Sequence, residues 1–344
     1  MRKLQIAING FGRIGRAFFR AAWAHPAFDI VAINDLGDPE NLAYLLKYDS
    51  VYGRARFPVS LKRAGMKTVL AVDGKEVDFF QKKDPRELPW KDAEIDIVVE
   101  ATGVFRKPSA ARAHIEAGAK RVVVTAPFKD EEGATEPPTV LMGINEKDFS
   151  KNTVTSNASC TTNAASPVVA ILDENIGIEK AMLSTVHGYT SSQALVDSPS
   201  PKDFRRGRAA AANIIPTTTG ASETVAKALP HLRGKFMGVA LRVPVITGSL
   251  VDITFVARRN TTKEEVNGVL RKAANEERWK NIFTVTEEPL VSSDIVSAPH
   301  ASIADLPFTA VVGGNLVKVL AWYDNEMGYA YSLIEHVRKA GENI

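Results

Sequence analysis

The chain has 344 residues, of which 45% are hydrophobic and 24% charged, and its formal net charge is +3. This composition is typical of a soluble globular protein, and the charge is too balanced to indicate a nucleic-acid or membrane partner. No apolar run approaches the roughly 18 residues that a transmembrane helix needs. The N-terminus has no apolar signal segment, so a cytoplasmic protein is expected. The length exceeds the roughly 100 to 200 residues usual for one domain and predicts two.

Short runs rich in Val and Ile alternate with helical stretches in the first half of the chain. Because these runs are apolar at nearly every position, they are typical of strands buried on both faces of a parallel sheet. Strands are predicted over residues 4–8, 30–34, 95–100 and 121–125, and helices over 14–24, 41–47 and 108–117. The alternation predicts a Rossmann-type, doubly wound α/β domain over residues 1–158. A polar segment, residues 129–138, predicts an exposed loop.

The pattern changes after residue 158, where longer strands show alternating polar and apolar positions. Strands are predicted over residues 180–187, 236–245, 249–257 and 316–322, and helices over 162–174 and 262–276. Thr262 and Glu265 have the spacing of a capping box at the start of the second helix. We therefore expect an α+β catalytic domain with a mixed, mainly antiparallel sheet over residues 159–325. The C-terminal helix, about residues 326–344, is predicted to pack back on the first domain.

The first predicted strand leads directly into a G-x-G-x-x-G motif at residues 10–15, and a helix follows. Glycines in that setting let the backbone approach a pyrophosphate, and the helix N-terminus favours its charge. Asp35 ends the second strand, where a carboxylate can accept both ribose hydroxyls and would repel a 2′-phosphate. The motif indicates NAD rather than NADP, the alternative being an ordinary tight turn with Asp35 as a turn residue.

Cys160 is the only cysteine, which excludes an intrachain disulfide and a thiolate metal site. It lies between a strand-like segment and a helix-like segment, among Ser, Thr and Asn side chains. A thiol at a helix N-terminus has its thiolate stabilised by the helix dipole, so this one is expected to be partly ionised near neutral pH. The alternative is a small buried apolar residue, which the polar surroundings disfavour.

Other candidates are one histidine and a basic cluster. His187 follows a predicted strand and is a candidate general base, although it is also a common kind of structural histidine. Arginines at 205, 206 and 208 form the dense basic cluster, with threonines at 217–219 and Arg242 further along. Arginine forks and hydroxyls suit phosphate, and the alternative is a solvated or interface loop.

Six motifs spread over nearly the whole chain resemble those of phosphorylating glyceraldehyde-3-phosphate dehydrogenases, in the same order. They are NGFGRIG (9–15), AIND (32–35), LLKYDS (45–50), SNASCTTN (156–163), RRGRAAAANIIPTTTGA (205–221) and AWYDNEMGY (321–329). The resemblance implies oxidation of D-glyceraldehyde 3-phosphate with NAD and inorganic phosphate to 1,3-bisphosphoglycerate, through a cysteine thioester, in glycolysis or gluconeogenesis. It also implies a cytoplasmic homotetramer in which the loop 205–208 reaches a neighbouring subunit's cofactor.

Matching positions imply roles for individual residues, with Cys160 as the nucleophile and His187 as its acid/base partner. The implied cofactor-binding residues are Gly10, Gly12, Arg13, Ile14, Gly15, Asp35, Lys83, Thr125 and Asn325, the last holding the nicotinamide carboxamide. Those implied for phosphate are Ser159, Thr161, Thr190, Arg206, Thr219, Gly220 and Arg242, of which Thr190 and Arg242 would bind the substrate's own phosphate. No metal is expected.

The chain departs from the family pattern at several positions. Lys83 replaces a usual arginine near the adenine, and Ala164 replaces a second cysteine four residues after the nucleophile. Residues 245–248, Val-Ile-Thr-Gly, replace a typical Thr-Pro-Asn-Val run, and Met327 replaces a commoner Trp or Thr. These departures leave the shape of the substrate pocket less defined than the mechanism.

Two other functions fit part of the pattern. Erythrose-4-phosphate dehydrogenase is a relative with the same cysteine and histidine that uses water as acyl acceptor, but residues 187–190 and 219–220 favour the phosphorylating enzyme. A non-catalytic nucleotide- or RNA-binding module would explain the glycines and arginines. It gives no reason for Cys160, His187 and Asn325 together.

Overall fold

The computed structural model describes residues 2–65, 67–129, 138–201 and 203–344. They fall into two compact units, one made of Met1–Val140, Asn145–Ala158 and Leu333–Ile344, the other of Leu141–Ile144 and Ser159–Ser332. Of the predicted loop 129–138, residues 130–137 lie outside the described part of the chain. Among the described residues, no helix is both long and apolar enough to cross a membrane.

The first unit is built on a twisted, mostly parallel sheet with helices between its strands. In chain order its elements are β1 (Leu4–Asn9), α1 (Arg13–Ala22), β2 (Phe28–Asn34), α2 (Pro39–Lys47), β3 (Tyr48–Asp49), β4 (Gly53–Arg54), β5 (Val59–Ala64), β6 (Lys67–Val72), β7 (Lys75–Phe80), β8 (Ile97–Glu100), α3 (Pro108–Ala111), α4 (Ala113–Glu116), β9 (Arg121–Val124) and β10 (Val154–Ser156). Its strand order is β10-β9-β8-β1-β2-β7-β6-β5.

The pairings in this sheet confirm the predicted parallel architecture. From β10 to β7 every neighbouring pair runs parallel, and β5 and β6 extend the sheet antiparallel. Strands β8 and β9 are buried at every position, as expected for strands covered on both faces. The sequence patterns did not predict β5, β6 and β7. Strands β5 and β7 carry two and three charged residues, whereas β6 carries one and was missed although it is largely apolar.

One predicted helix differs in detail. The stretch 108–117 forms two short helices, α3 and α4, which are separated at Arg112. The N–H of Ile115 donates to the carbonyl of Arg112 at 2.8 Å, an i→i−3 bond that interrupts the regular α-helical ladder. Helical periodicity does not distinguish such a tightened turn from a continuous helix.

The end of the chain belongs to the first unit. Arg121 donates from Nη2 to the carbonyl of Asn343 at 2.7 Å. The buried ring of His336 lies 2.8 Å from the hydroxyl of Thr155 and 3.1 Å from the side-chain oxygen of Asn157. These bonds join the last turns of the C-terminal helix to β9 and to the segment around β10.

The second unit contains the remaining elements. They are α5 (Cys160–Asn175), β11 (Ile178–Gly188), β12 (Ile215–Thr218), α6 (Ala221–Ala228), β13 (Phe236–Val243), β14 (Ser249–Ala257), α7 (Lys263–Ala274), β15 (Phe283–Thr286), β16 (Ser302–Val312), β17 (Leu316–Tyr323) and the start of α8 (Met327–Gly341). Strand order is β12-β13-β11-β14-β17-β16-β15. Only β11–β13 and β15–β16 run parallel among these pairs of described strands, which confirms the predicted mixed, mainly antiparallel sheet.

One face of the second sheet forms the core, where α5, α6 and α7 pack on it. The alternation of buried and half-buried residues along β14 follows from this one-sided covering. On the opposite face Met182 and Met237 are 69% and 70% exposed. This sheet face therefore exposes apolar side chains beside polar ones, and no helix of the described chain covers the two methionines.

The start of α7 shows half of the predicted capping box. The hydroxyl of Thr262 accepts a hydrogen bond from the N–H of Glu265 at 3.2 Å. The Glu265 carboxylate does not return the bond, because it accepts from Arg259 and from the hydroxyl of Thr261, both at 2.7 Å. These two donors lower the pKa of Glu265 to about 2.

Removing this cap should cost measurable stability. We expect Thr262→Ala to lower the free energy of unfolding by about 1 kcal/mol, the usual loss for an N-cap hydroxyl. Thr262→Ser retains the acceptor and should unfold close to the wild type in a urea titration followed by circular dichroism. Equal destabilisation by both substitutions would show that the hydroxyl is not the stabilising group.

Candidate active site

Glycine occurs at positions 10, 12 and 15, in the turn between β1 and α1 and the first turn of α1, for different structural reasons. Gly10 has φ 95°, and a Cβ on it would lie 2.6 Å from the backbone N of Thr102. A Cβ on Gly15 would lie 2.1 Å from the carbonyl oxygen of Gly10, so this glycine allows helix and turn to approach. A Cβ on Gly12 would meet nothing within 4 Å. The middle glycine thus leaves space on the open side of the turn, where a ligand can approach the backbone.

The turn also presents a helix N-terminus and a carboxylate. No side chain caps α1 at Gly12. Asp35, just after β2, accepts from the N–H of Phe11 at 2.6 Å and from the N–H of Gly37 at 2.7 Å. These two bonds fix one carboxylate oxygen each and leave further lone pairs for hydroxyl donors. An anion at the helix end and a ribose at Asp35 fit this arrangement.

The other predicted cofactor residues of the first unit follow strands of the same parallel set. Arg13, in the first turn of α1 beside Ile14, donates from Nη1 to the Asp49 carboxylate at 2.6 Å. Thr125 directly follows β9, and the exposed Lys83 follows β7. Because β1, β2, β7 and β9 run in one direction, the segments that follow them meet at one edge of the sheet.

Cys160 is the first residue of α5, which begins two residues before the predicted start at residue 162. Ser159 is its N-cap, and the Ser159 hydroxyl accepts from the N–H of Thr162 at 3.1 Å. Ala158, which precedes the cap, has φ 57°, an uncommon conformation for a residue with a side chain. His187 lies near the end of β11, with Nε2 3.4 Å from Cys160 Sγ. The structure therefore brings the predicted nucleophile and base together.

The hydrogen bonds of His187 define its tautomer. Nδ1 is 2.6 Å from the carbonyl oxygen of Gly188, which can only accept, and 3.1 Å from Nη1 of Arg242, which can only donate. Because the contact with Gly188 is much the shorter, we assign the proton to Nδ1. Burial first, and then the positive charge of Arg242, lower the pKa of His187 to about 3. The ring is consequently neutral at neutral pH, and Nε2 is an acceptor that faces the thiol of Cys160.

Arg242 connects these groups electrostatically. On the parallel strand β13 it pairs with His187 in register, and its Nη1 donates to the carbonyl of Gly188 at 3.1 Å. The same nitrogen lies 3.4 Å from the hydroxyl of Thr190. Burial raises the pKa of the Cys160 thiol, while Arg242 and hydrogen bonds with Thr161 act to lower it. The pKa of Cys160 is raised overall, whereas the helix N-terminus alone predicted a lowered pKa.

A buried tyrosine lies beneath the nucleophile, and the sequence analysis gave it no role. Tyr323 Oη is 2.9 Å from the hydroxyl of Thr161 and 2.8 Å from that of Thr185. Its ring packs edge-on against His187, with centroids 5.9 Å apart. Tyr323 belongs to the AWYDNEMGY motif, but nothing in its spacing indicated that β17 would place it against α5 and β11.

The remaining predicted phosphate residues are arranged around this centre in local hydrogen bonds. Arg206 donates from Nε to the hydroxyl of Thr217 at 3.0 Å, and its charge contributes to lowering the pKa of Arg242. Gly220 is the N-cap residue of α6 and has no side chain to cap it. The hydroxyl of Thr219 instead accepts from the N–H of Ala221, the first residue of the helix, at 3.2 Å. Two arginines and a helix N-terminus suit anions.

Asn325, which follows β17, is almost completely buried. Its side-chain oxygen accepts from the hydroxyl of Ser249 at 2.7 Å and lies 3.1 Å from that of Thr247. Among the described residues, no group of three or more His, Cys, Asp or Glu side chains is arranged to hold a metal ion.

The position of Arg242 generates a prediction about thiol reactivity. Because its positive charge favours the thiolate, we expect Arg242→Gln to raise the pKa of Cys160 and to shift the pH profile of iodoacetamide alkylation toward higher pH. The exposed Arg233, substituted as Arg233→Gln, is the matched control and should leave the profile unchanged. Identical profiles for all three proteins would refute the electrostatic role of Arg242.

Comparison with known proteins places these features in a family. Models described as "Glyceraldehyde 3-phosphate dehydrogenase, NAD binding domain" and "Glyceraldehyde 3-phosphate dehydrogenase, C-terminal domain" match residues 4–108 and 159–325. Glyceraldehyde-3-phosphate dehydrogenase 2 of Streptomyces avermitilis is 46% identical over 335 residues, covering 96% of this chain and 97% of the relative. Glyceraldehyde-3-phosphate dehydrogenase 2 of Bacillus subtilis is 46% identical over 338 residues, covering 98% and 96%.

A further relative, glyceraldehyde-3-phosphate dehydrogenase of Geobacillus stearothermophilus, is 46% identical over 334 residues, covering 96% of each chain. The predicted family resemblance and the predicted cofactor are confirmed by these matches. The chain belongs to the glyceraldehyde 3-phosphate dehydrogenase family and is an NAD-dependent oxidoreductase.

Proposed function

We propose that this enzyme oxidises D-glyceraldehyde 3-phosphate with NAD and inorganic phosphate to 1,3-bisphosphoglycerate, as a step of glycolysis or gluconeogenesis. The observation that carries the residue assignment is the 3.4 Å approach of Cys160 Sγ to Nε2 of His187, beside Arg242. The names of the relatives support the same substrate.

In the first step the Cys160 sulfur forms a bond to the aldehyde carbon. The thiol proton passes through Nε2 of His187 to the carbonyl oxygen, so that the product is a neutral hemithioacetal. The bond between Nδ1 and the carbonyl of Gly188 holds the ring so that Nε2 keeps facing the sulfur. The positive charge of Arg242 stabilises the thiolate as it forms, against the effect of burial.

In the second step His187 acts as a base. Its Nε2 removes the hydroxyl proton of the hemithioacetal, which becomes the carbonyl of a thioester on Cys160, and the proton later leaves to solvent. A bound NAD would supply the acceptor for the hydride that leaves the same carbon. The backbone N–H groups of Cys160 and Thr161, which hydrogen-bond to the sulfur in this structure, are the proposed donors for the negative charge that develops on oxygen.

In the last step an oxygen of inorganic phosphate attacks the thioester carbon, and the cysteine sulfur leaves with the phosphate proton. Arg242 and Thr190 are proposed to hold the phosphate of the substrate. The proposed donors for inorganic phosphate are Ser159, Thr161, Arg206, Thr219 and Gly220. Separate positions for the two anions are supported by two arginines with different partners, Gly188 for Arg242 and Thr217 for Arg206.

Most of the proposed cofactor contacts lie at one edge of the first sheet, in the segments that follow its parallel strands. Gly10, Gly12, Gly15 and the adjoining residues Arg13 and Ile14 would bind the pyrophosphate at the uncapped start of α1. Asp35 would accept from the adenosine ribose, and its charge would disfavour a 2′-phosphate. Lys83 and Thr125 would add contacts at the same edge, and Asn325 would donate to the nicotinamide carboxamide.

We further propose an NAD-binding domain over residues 1–158, with the C-terminal helix about 326–344, and a catalytic domain over 159–325. A cytoplasmic homotetramer is the proposed assembly. It is supported by apolar surface on the second unit, where Leu195 and Phe204 are 81% and 86% exposed. A groove of about 380 Å³ on the uncovered sheet face, lined by Met182 and Met237, is a surface of the same kind.

The nucleophile can be tested directly. We expect Cys160→Ser to reduce NADH production by at least about 1,000-fold, the usual scale for loss of a covalent nucleophile, because a serine hydroxyl is not ionised here. NAD binding, measured by quenching of tryptophan fluorescence, should remain close to that of the wild type. Substantial turnover by the variant would contradict the assignment of Cys160.

The acyl acceptor can be tested with both candidate sugar phosphates. Initial rates of NADH formation with glyceraldehyde 3-phosphate should rise with added phosphate or arsenate and exceed those with erythrose 4-phosphate. The reason is that the thioester needs an anionic acceptor held by the arginines. A rate that is independent of phosphate, or a preference for erythrose 4-phosphate, would favour a hydrolytic enzyme instead.

A further inference from the structure

The side chain of Asn325 lies in a fully buried cluster of hydroxyls. Ser249 donates its hydroxyl proton toward Asn325 Oδ1 at 2.7 Å, and the hydroxyl of Thr247 lies 3.1 Å from the same oxygen. Ser249, Thr247 and Asn325 are 1%, 4% and 4% exposed. Both contacts fall on the carbonyl side of the amide.

One orientation of the Asn325 amide lets both neighbouring hydroxyls donate to it. The Ser249 oxygen accepts from the backbone N–H of Gly188 at 3.1 Å, so its own proton is free to go to Asn325. Thr247 has one hydroxyl proton to share between Asn325 and the carboxylate of Asp324, which is 2.9 Å away. With hydroxyl donors on that side, the amide oxygen faces Ser249 and Thr247, and the NH₂ group faces away from them.

The turn before β14 fixes where these hydroxyls stand. Gly248 has φ 87°, and a Cβ there would lie 2.1 Å from the carbonyl oxygen of Ser292, so only glycine fits. Ser249 then opens β14 opposite Tyr323, two residues before Asn325. Thr247 and Gly248 both belong to the run in which this chain departs from the family pattern.

We propose that Ser249 and Thr247 form a hydroxyl clamp that orients the amide of Asn325, so that its NH₂ group donates to the nicotinamide carboxamide. Ser249 also joins this amide to Gly188, whose carbonyl holds the ring of His187. The clamp therefore couples the group that would orient the cofactor to the group that orients the base. The proposal rests on the proposed role of Asn325, and Ser249 and Thr247 are positioning residues within it.

Without the clamp, the buried amide can turn so that it presents its oxygen instead of its NH₂ group. The contact with the carboxamide oxygen would then be lost, while the adenosine and pyrophosphate contacts of the first unit would not change. The clamp thus predicts that its removal weakens binding of the nicotinamide half of the cofactor and leaves binding of the ADP-ribose half unchanged.

The test compares NAD with ADP-ribose, which lacks the nicotinamide, by titrating substrate-free protein and following fluorescence or heat. We expect Ser249→Ala to weaken NAD binding about 5- to 10-fold, the scale of one lost hydrogen bond in a buried site, and to leave ADP-ribose binding unchanged. Thr247→Val should weaken NAD binding less, because Thr247 divides its proton, and Thr247→Ser should restore it.

Ser302→Ala is the matched control. Ser302 lies in β16 of the same sheet, is fully buried, and its hydroxyl has no hydrogen-bond partner among the described residues. Removal of the Ser302 hydroxyl should leave the affinities for NAD and ADP-ribose as in the wild type. If Ser249→Ala behaves like Ser302→Ala, or weakens NAD and ADP-ribose equally, the clamp is refuted.

Asn325→Ala separates failure of the clamp from failure of the role on which it depends. A selective loss of NAD affinity in Asn325→Ala without one in Ser249→Ala would overturn the clamp and leave the proposed role of Asn325 intact. No selective loss in Asn325→Ala would overturn both. The rate of phosphate-dependent NADH formation by the wild type tests the proposed function independently of either result.

Discussion

Gly188 forms hydrogen bonds with the side chains on which the proposed chemistry depends. Its carbonyl accepts from Nδ1 of His187 and from Arg242, and its N–H donates to Ser249. A Cβ at this residue would lie 3.0 Å from the carbonyl oxygens of Val245 and Ile246, which leaves room for little more than a glycine. The end of β11 is thus fixed by packing, and the tautomer of the imidazole follows from that backbone position.

The environment of Cys160 balances opposing effects. Burial raises the pKa of the thiol, and the guanidinium of Arg242 and the start of α5 act to lower it. The same burial and the same guanidinium lower the pKa of His187 to about 3, so the imidazole is a neutral base that is not already charged. A thiol and a neutral imidazole at 3.4 Å can exchange a proton when the sulfur reacts, and the buried hydroxyl of Tyr323 supports the helix start beneath them.

In the first unit, backbone geometry constrains the proposed cofactor site. Gly10 and Gly15 are required by close approaches of main-chain atoms, whereas Gly12 leaves open space. Asp35 accepts two backbone N–H groups and is thereby held at the end of β2 without any basic side chain. An edge built in this way suits a dinucleotide, because the backbone binds the phosphates and one carboxylate selects the ribose.

Local patterns in the sequence were sufficient for the architecture and for the main candidates. Apolar runs predicted β1, β2, β8 and β9 of the parallel set, and the motif spacing identified the glycine turn, Asp35 and Cys160 near a helix start. Strands β5, β6 and β7 and the tightened turn between α3 and α4 were missed. Periodicity reports how a segment is buried, so partly exposed strands with charged residues, such as β5 and β7, and a single tightened turn leave no clear pattern.

Tertiary structure decided the contacts between distant residues. Thr161 and Tyr323 are 162 residues apart, Ser249 and Asn325 76, and His187 and Arg242 55. Their meeting depends on the register of β11, β13, β14 and β17, which follows from the packing of one sheet face on α5 to α7. The sequence alone determined which chemical groups the protein carries. The pairing of strands determined which protons they can share and the direction in which the pKa of Cys160 shifts, because both depend on burial and on charges brought from remote segments.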